Sequence, residues 1–106
     1  MSVGYRRNKA LSNLMEDLAA MSVGFRYMIE TLNQMANAIG NCGADFEMIR
    51  GKIQSAVQGS GGERIPGVME DVNTITSAIS TAREKAEALA GKLRGKADQI
   101  RAIVGG

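Results

Sequence analysis

Counting from Leu11 in alternating steps of three and four lands on Leu14, Leu18, Met21, Phe25, Met28, Leu32, Met35, Ile39, Cys42, Phe46, Ile49, Ile53 and Ala56, and every one of these positions is apolar. A line repeating every 3.5 residues stays on one side of a slightly underwound helix, so the pattern predicts a long helix over about residues 6–58 that buries that side against other helices. Met15, Ile29, Ala36 and Val57 widen the stripe beyond the seam of a bare two-stranded coiled coil. A second seam runs through Ile65, Val68, Val72, Ile75, Ile79, Ala82, Ala86, Leu89, Leu93, Lys96, Ile100 and Ile103 and predicts a helix over about residues 65–104. Its one polar member, Lys96, has a stem long enough to pack while its ammonium reaches water.

Between the two seams, Gly59, Ser60, Gly61 and Gly62 mark a reversal over residues 59–64, and Pro66 stands where the first turn of a helix tolerates proline. Gly40, Asn41 and Gly43 cost roughly 2 kcal/mol of helix propensity against alanines, which makes a turn there the competing reading. The seam keeps its register across them, and that favours a continuous or kinked helix. Folding the chain about residues 61 and 62 sets position i against about position 123 minus i. Ala82 and Ala86 then fall beside the glycines of residues 40–43, so small residues meet small residues and the backbones approach closely. Val104 falls near Ala19.

The expected fold is therefore all-α: one domain over residues 1–106, a long antiparallel helical hairpin with heptad packing. At 1.5 Å per residue the first helix would be about 80 Å long and the second about 60 Å. Leu11, Leu14, Met15 and Leu18 would lie beyond the second helix, and with Ile29 they form the expected partner interface. The expected solution is a second hairpin, a copy of this chain or a related helical chain, packing alongside into a four-helix bundle or a larger assembly.

Composition changes this picture little. The chain is 44% hydrophobic but only 4% aromatic, which suits elongated helical packing better than a compact core, and its net charge of +2 argues for neither nucleic acid nor an anionic membrane. The distribution of charge says more. Residues 1–15 hold Arg6, Arg7 and Lys9, and residues 83–106 hold six basic and three acidic side chains, among them Lys92, Arg94, Lys96 and Arg101. The open end thus carries about +6, while residues 16–82 hold four basic and eight acidic residues. Complementing a helix C-terminus explains part of the second group. Docking on an acidic surface, or head-to-tail contact between copies, is the reading that also covers Arg6, Arg7 and Lys9.

Chemistry for catalysis does not converge. There is no histidine. The pairs Glu16 with Asp17 and Glu70 with Asp71 are adjacent, and on a helix they point about 100° apart, so neither pair shares a proton or a metal. The glycines of residues 59–62 are followed by Glu63 and Arg64 rather than by the Gly-Lys-Ser/Thr of a phosphate loop. Cys42, the single cysteine, sits on the seam and is expected to be a buried, inert thiol. The expectation is a non-enzymatic protein with no cofactor, metal or small-molecule substrate and no nucleic acid. No apolar run reaches the ~18 residues of a membrane span. The first residues lack the apolar core of a Sec signal, so the chain is expected in the cytoplasm or exported without a signal peptide.

In size, seam pattern and lack of a Sec signal, nearly the whole chain resembles the small helical hairpins of type VII secretion, the WxG-motif family and its motif-poor relatives. Trp-x-Gly itself is absent, and the aromatic nearest the mid-chain glycines is Phe46, after Gly43. Tyr27 is followed four residues later by Thr31, with Glu30 one place early for that family's Tyr-x-x-x-Asp/Glu export signal. The resemblance implies a reversal near residue 43. It also implies secretion as a folded homodimer or heterodimer, in which the hairpin is a targeting partner rather than a catalyst. The alternative is a structural subunit that assembles through its seam and basic end into a filament or bundle.

Overall fold

The computed structural model describes residues 3–105, apart from the side chains of Val3 and Tyr5, as two helices, α1 (Val3–Gly59) and α2 (Val68–Gly105), with no strand among them. They pack as an antiparallel hairpin. α1 is helical straight through Gly40 and Gly43, so the reversal near residue 43 implied by the family resemblance is not made. The chain turns instead over residues 60–67, and α2 begins at Val68, three residues later than expected.

The turn is late because both helix ends are capped. Gly62 N–H donates to the Val57 carbonyl at 2.9 Å and Gly61 N–H to the Gln58 carbonyl at 3.1 Å, with Gly61 at φ 82° and Gly62 at φ 126°. This is the paired-bond stop in which a left-handed residue closes a helix, and glycine fills it without a Cβ clash. Arg64 Nε and Nη2 donate to the Ser60 carbonyl at 3.0 and 2.7 Å. At the start of α2, Gly67 supplies the first helical carbonyl, accepting from Asp71 N–H at 3.0 Å, but has no side chain with which to cap. Glu63 does that work from outside the helix, its Oε1 accepting from Met69 N–H at 2.9 Å. Glu70 and Asp71 in the first turn complement the helix dipole.

Packing falls into two compact units. One joins the described residues up to Leu32 with those from Ala88 onward; the other comprises Asn33–Glu87. In the second unit the register is pinned by Arg50 Nε, which donates to Asn73 Oδ1 at 2.8 Å. A Cβ at Gly40 would lie 3.1 Å from the Arg83 guanidinium, and one at Gly43 would lie 3.3 Å from Ile79 Cγ2. These pairs follow the expected rule that partner positions total about 123. The two glycines thus admit Arg83 and Ile79, rather than Ala82 and Ala86 as the sequence suggested. In the first unit Ala19 and Val104 line one groove, again in the expected register.

The buried positions are almost all small: Ala36, Ala86, Ala90, Ala97 and Ile100. Ala90 is 1% exposed and Ala36 4%, and among the described residues no large side chain is fully enclosed.

Candidate interaction surface

Each helix carries three apolar lines of seven-residue period, and a two-helix contact covers two of them. On α1 the covered lines are Leu18, Phe25, Leu32, Ile39, Phe46 and Ile53, all half-buried, and Ile29, Ala36, Gly43, Arg50 and Val57, all half-buried or buried. On α2 they are Val72, Ile79, Ala86, Leu93 and Ile100, all half-buried or buried, and Met69, Thr76, Arg83, Ala90 and Ala97, half-buried or buried except for the exposed Arg83. The third line stays out on both helices. Met21, Met28, Met35, Cys42, Ile49 and Ala56 are exposed on α1, with Leu14 continuing them, and Ile75, Ala82, Leu89, Lys96 and Ile103 are exposed on α2.

This corrects the expected seam. Six of its positions on α1 face α2, and the others, taken as the second half of the same seam, face outward. The lines chosen are those containing Ala36, Gly43, Ala90 and Ala97, because small side chains let two backbones approach and the longer residues then interdigitate around them. Ala36, which widens the apolar stripe in the sequence, and Ala90 are both covered within the hairpin itself. Lys96 is exposed while its neighbour Ala97 is buried, and Ile65 precedes α2 and is exposed. Cys42 is exposed rather than buried.

Within each unit the exposed lines border an apolar groove. In the unit of residues 33–87, Cys42, Ile75, Ala78 and Ala82 form its rims, with Ile39 and Ile79 among its lining. In the other unit, Tyr27, Met28 and Thr31 with Leu32 and Leu93 line a comparable groove. A second groove of the 33–87 unit, beside Gly40, Glu47, Ser80 and Arg83, is more polar.

All the residues expected to form the partner interface and the basic end belong to the first unit. Leu11, Leu14 and Met15 are exposed, Leu18 and Ile29 half-buried. Arg6, Arg7, Lys9, Lys92, Arg94 and Lys96 are exposed. Arg101 lies 3.6 Å from Asp98, both well exposed, a geometry that contributes little to stability. That unit holds eight basic and four acidic residues, while residues 33–87 hold five basic and seven acidic.

No helix is long and apolar enough to cross a membrane among the described residues. Comparison with protein-family models, curated proteins and solved structures gives no match. What the fold and its surface define is a two-helix hairpin with one apolar line of each helix left uncovered.

Proposed function

We propose that this chain is a non-enzymatic interaction protein, a helical hairpin that works by packing against another helical chain. The observation that supports this is the third apolar line. Met21, Met28, Met35 and Ile49 recur every seven or fourteen residues and each stands about half exposed, between 47% and 54%. Scattered apolar residues on a surface need no explanation, but an ordered row at heptad spacing is what a helix presents to a partner helix. Methionine suits such a face because its flexible, polarisable side chain adapts to the surface it meets.

The setting follows from the resemblance to type VII secretion hairpins: a small substrate or targeting partner exported by a route that needs no signal peptide. The exposed basic side chains of the first unit favour a second role, assembly of many copies through contact with acidic neighbours. The test is the molar mass of the purified chain across a wide range of concentration. Dimers or larger species that dissociate on dilution are expected; a chain that stays monomeric at the highest concentration overturns the reading.

A further inference from the structure

One groove of the first unit differs in its charge. Ala19 and Val23 of α1 and Ile100 and Val104 of α2 line a depression of about 340 Å³ that Arg26 and Arg101 also border. One guanidinium comes from each helix, and no acidic side chain lines the groove. The polar groove of the 33–87 unit holds Glu47 as well as Arg83, and the two apolar grooves hold no charged side chain.

The depression exists because Ala19 and Ser22 are short where α1 passes Val104 and Arg101. Ile100 is buried at its base, while Val23 and Val104 remain 45% and 41% exposed above it. Among the described residues Arg26 makes no ion pair. Arg101 pairs only loosely with Asp98, at 3.6 Å, and Asp98 does not line the groove. In the hairpin register Arg26 stands level with Ala97, four residues or about 6 Å along the axis from Arg101. Two long arginine stems span that distance, so both guanidiniums can close on one oxyanion. Their planar forks match the two oxygens of a carboxylate.

The apolar surface continues past the end of α2. Val23, Ala19, Met15 and Leu11 follow one another at intervals of four, which makes them one continuous row on the helix surface, and all four are exposed. From Val23 to Leu11 the row is twelve residues or about 18 Å long. A row one side chain wide with a pair of cations at one end has the shape and charge of a single hydrocarbon chain with an anionic head. Such a site, mostly apolar with a few convergent polar groups, is the usual form of a small-molecule site.

We propose that this groove binds a long-chain fatty acid, its carboxylate held by Arg26 and Arg101 and its acyl chain laid along Val23, Ala19, Met15 and Leu11. The site is separate from the surface offered to a helical partner, because Ala19 and Arg26 lie about 150° round α1 from Met21 and Met28 at 3.5 residues per turn. Failure of one reading therefore leaves the other standing.

Nuclear magnetic resonance of the nitrogen-labelled full chain tests it, with myristate added below its micelle concentration. Amide shifts centred on Ala19, Val23, Ile100 and Val104 are expected. Each methylene laid on the row strengthens binding by up to about fourfold, so decanoate is expected to bind at least about tenfold more weakly than myristate. Arg26→Gln with Arg101→Gln is expected to weaken myristate binding about tenfold or more by removing the charged donors. Ala19→Phe fills the groove without changing its charge and is expected to abolish binding. All three positions are exposed, so the hairpin is expected to survive, as circular dichroism would show. Absence of shifts overturns the proposal, as does binding that the double glutamine variant leaves unchanged. Tetradecyltrimethylammonium, the same chain with a cationic head, overturns it if it binds the same amides as tightly. Binding to phosphatidylglycerol vesicles without binding of monomeric myristate overturns it in favour of docking on a membrane surface.

Discussion

Ala90 shows how little room the contact between α1 and α2 leaves. It is 1% exposed, so Ala90→Leu would force the two helices apart and is expected to destabilise the hairpin by about 1–3 kcal/mol in thermal or urea unfolding. The helical glycines divide by the same criterion. A Cβ at Gly51 meets nothing within 4 Å, so Gly51→Ala gains helix propensity without a clash and is expected to stabilise by about 1 kcal/mol. At Gly43 the same methyl group lies 3.3 Å from Ile79 Cγ2. The propensity gain is then offset by displacement of Ile79, and Gly43→Ala is expected to stabilise less than Gly51→Ala, measured side by side.

At the scale of the element, each helix ends where a particular hydrogen-bond arrangement closes it. Gly61 has φ 82°, a conformation that costs a residue with a Cβ roughly 1 kcal/mol or more, so Gly61→Ala is expected to lower stability by about that amount. Glu63→Ala would leave the Met69 N–H without its 2.9 Å acceptor, a cap loss of about 0.5–2 kcal/mol. Both effects belong to the turn, so the two variants should unfold earlier without changing the mass of the native species. This separates stability of the hairpin from pairing between hairpins.

For the whole molecule the separable quantity is association. Leu14, Met21 and Ile49 are each about half exposed in the single chain, so replacing all three by serine should leave the helical spectrum intact. The dissociation constant of the pair should rise by two orders of magnitude or more, on the scale of about 1.4 kcal/mol per tenfold. Exposed charges are screened within about 10 Å at 0.1 M salt, so raising salt from ~0.01 to ~0.5 M should weaken association while the apolar contribution persists.

The sequence by itself determined the elements and their register. The 3.5-residue repeat and the glycines of residues 59–62 were enough to predict two helices and one reversal. The fold point at residues 61 and 62 set partner positions to total about 123, as Arg50 with Asn73 and Gly40 with Arg83 do, because in an antiparallel hairpin a single turn position sets every pair, although the residues the sequence named beside the glycines were Ala82 and Ala86. Only the tertiary structure decided which apolar lines are covered. Leu18 and Leu32 belong to a covered line and Met21 and Met35 to an exposed one, yet all four are members of one apolar seam in the sequence. The choice depends on how closely the backbones approach, and that is set by the alanines and glycines of both helices acting together. The signal was present in Ala36, Gly43, Ala90 and Ala97, whose smallness reads as weak hydrophobicity along the chain and as closest packing once the helices meet. The exposure of Cys42 follows from the same choice, since it stands one line over from the positions that face α2.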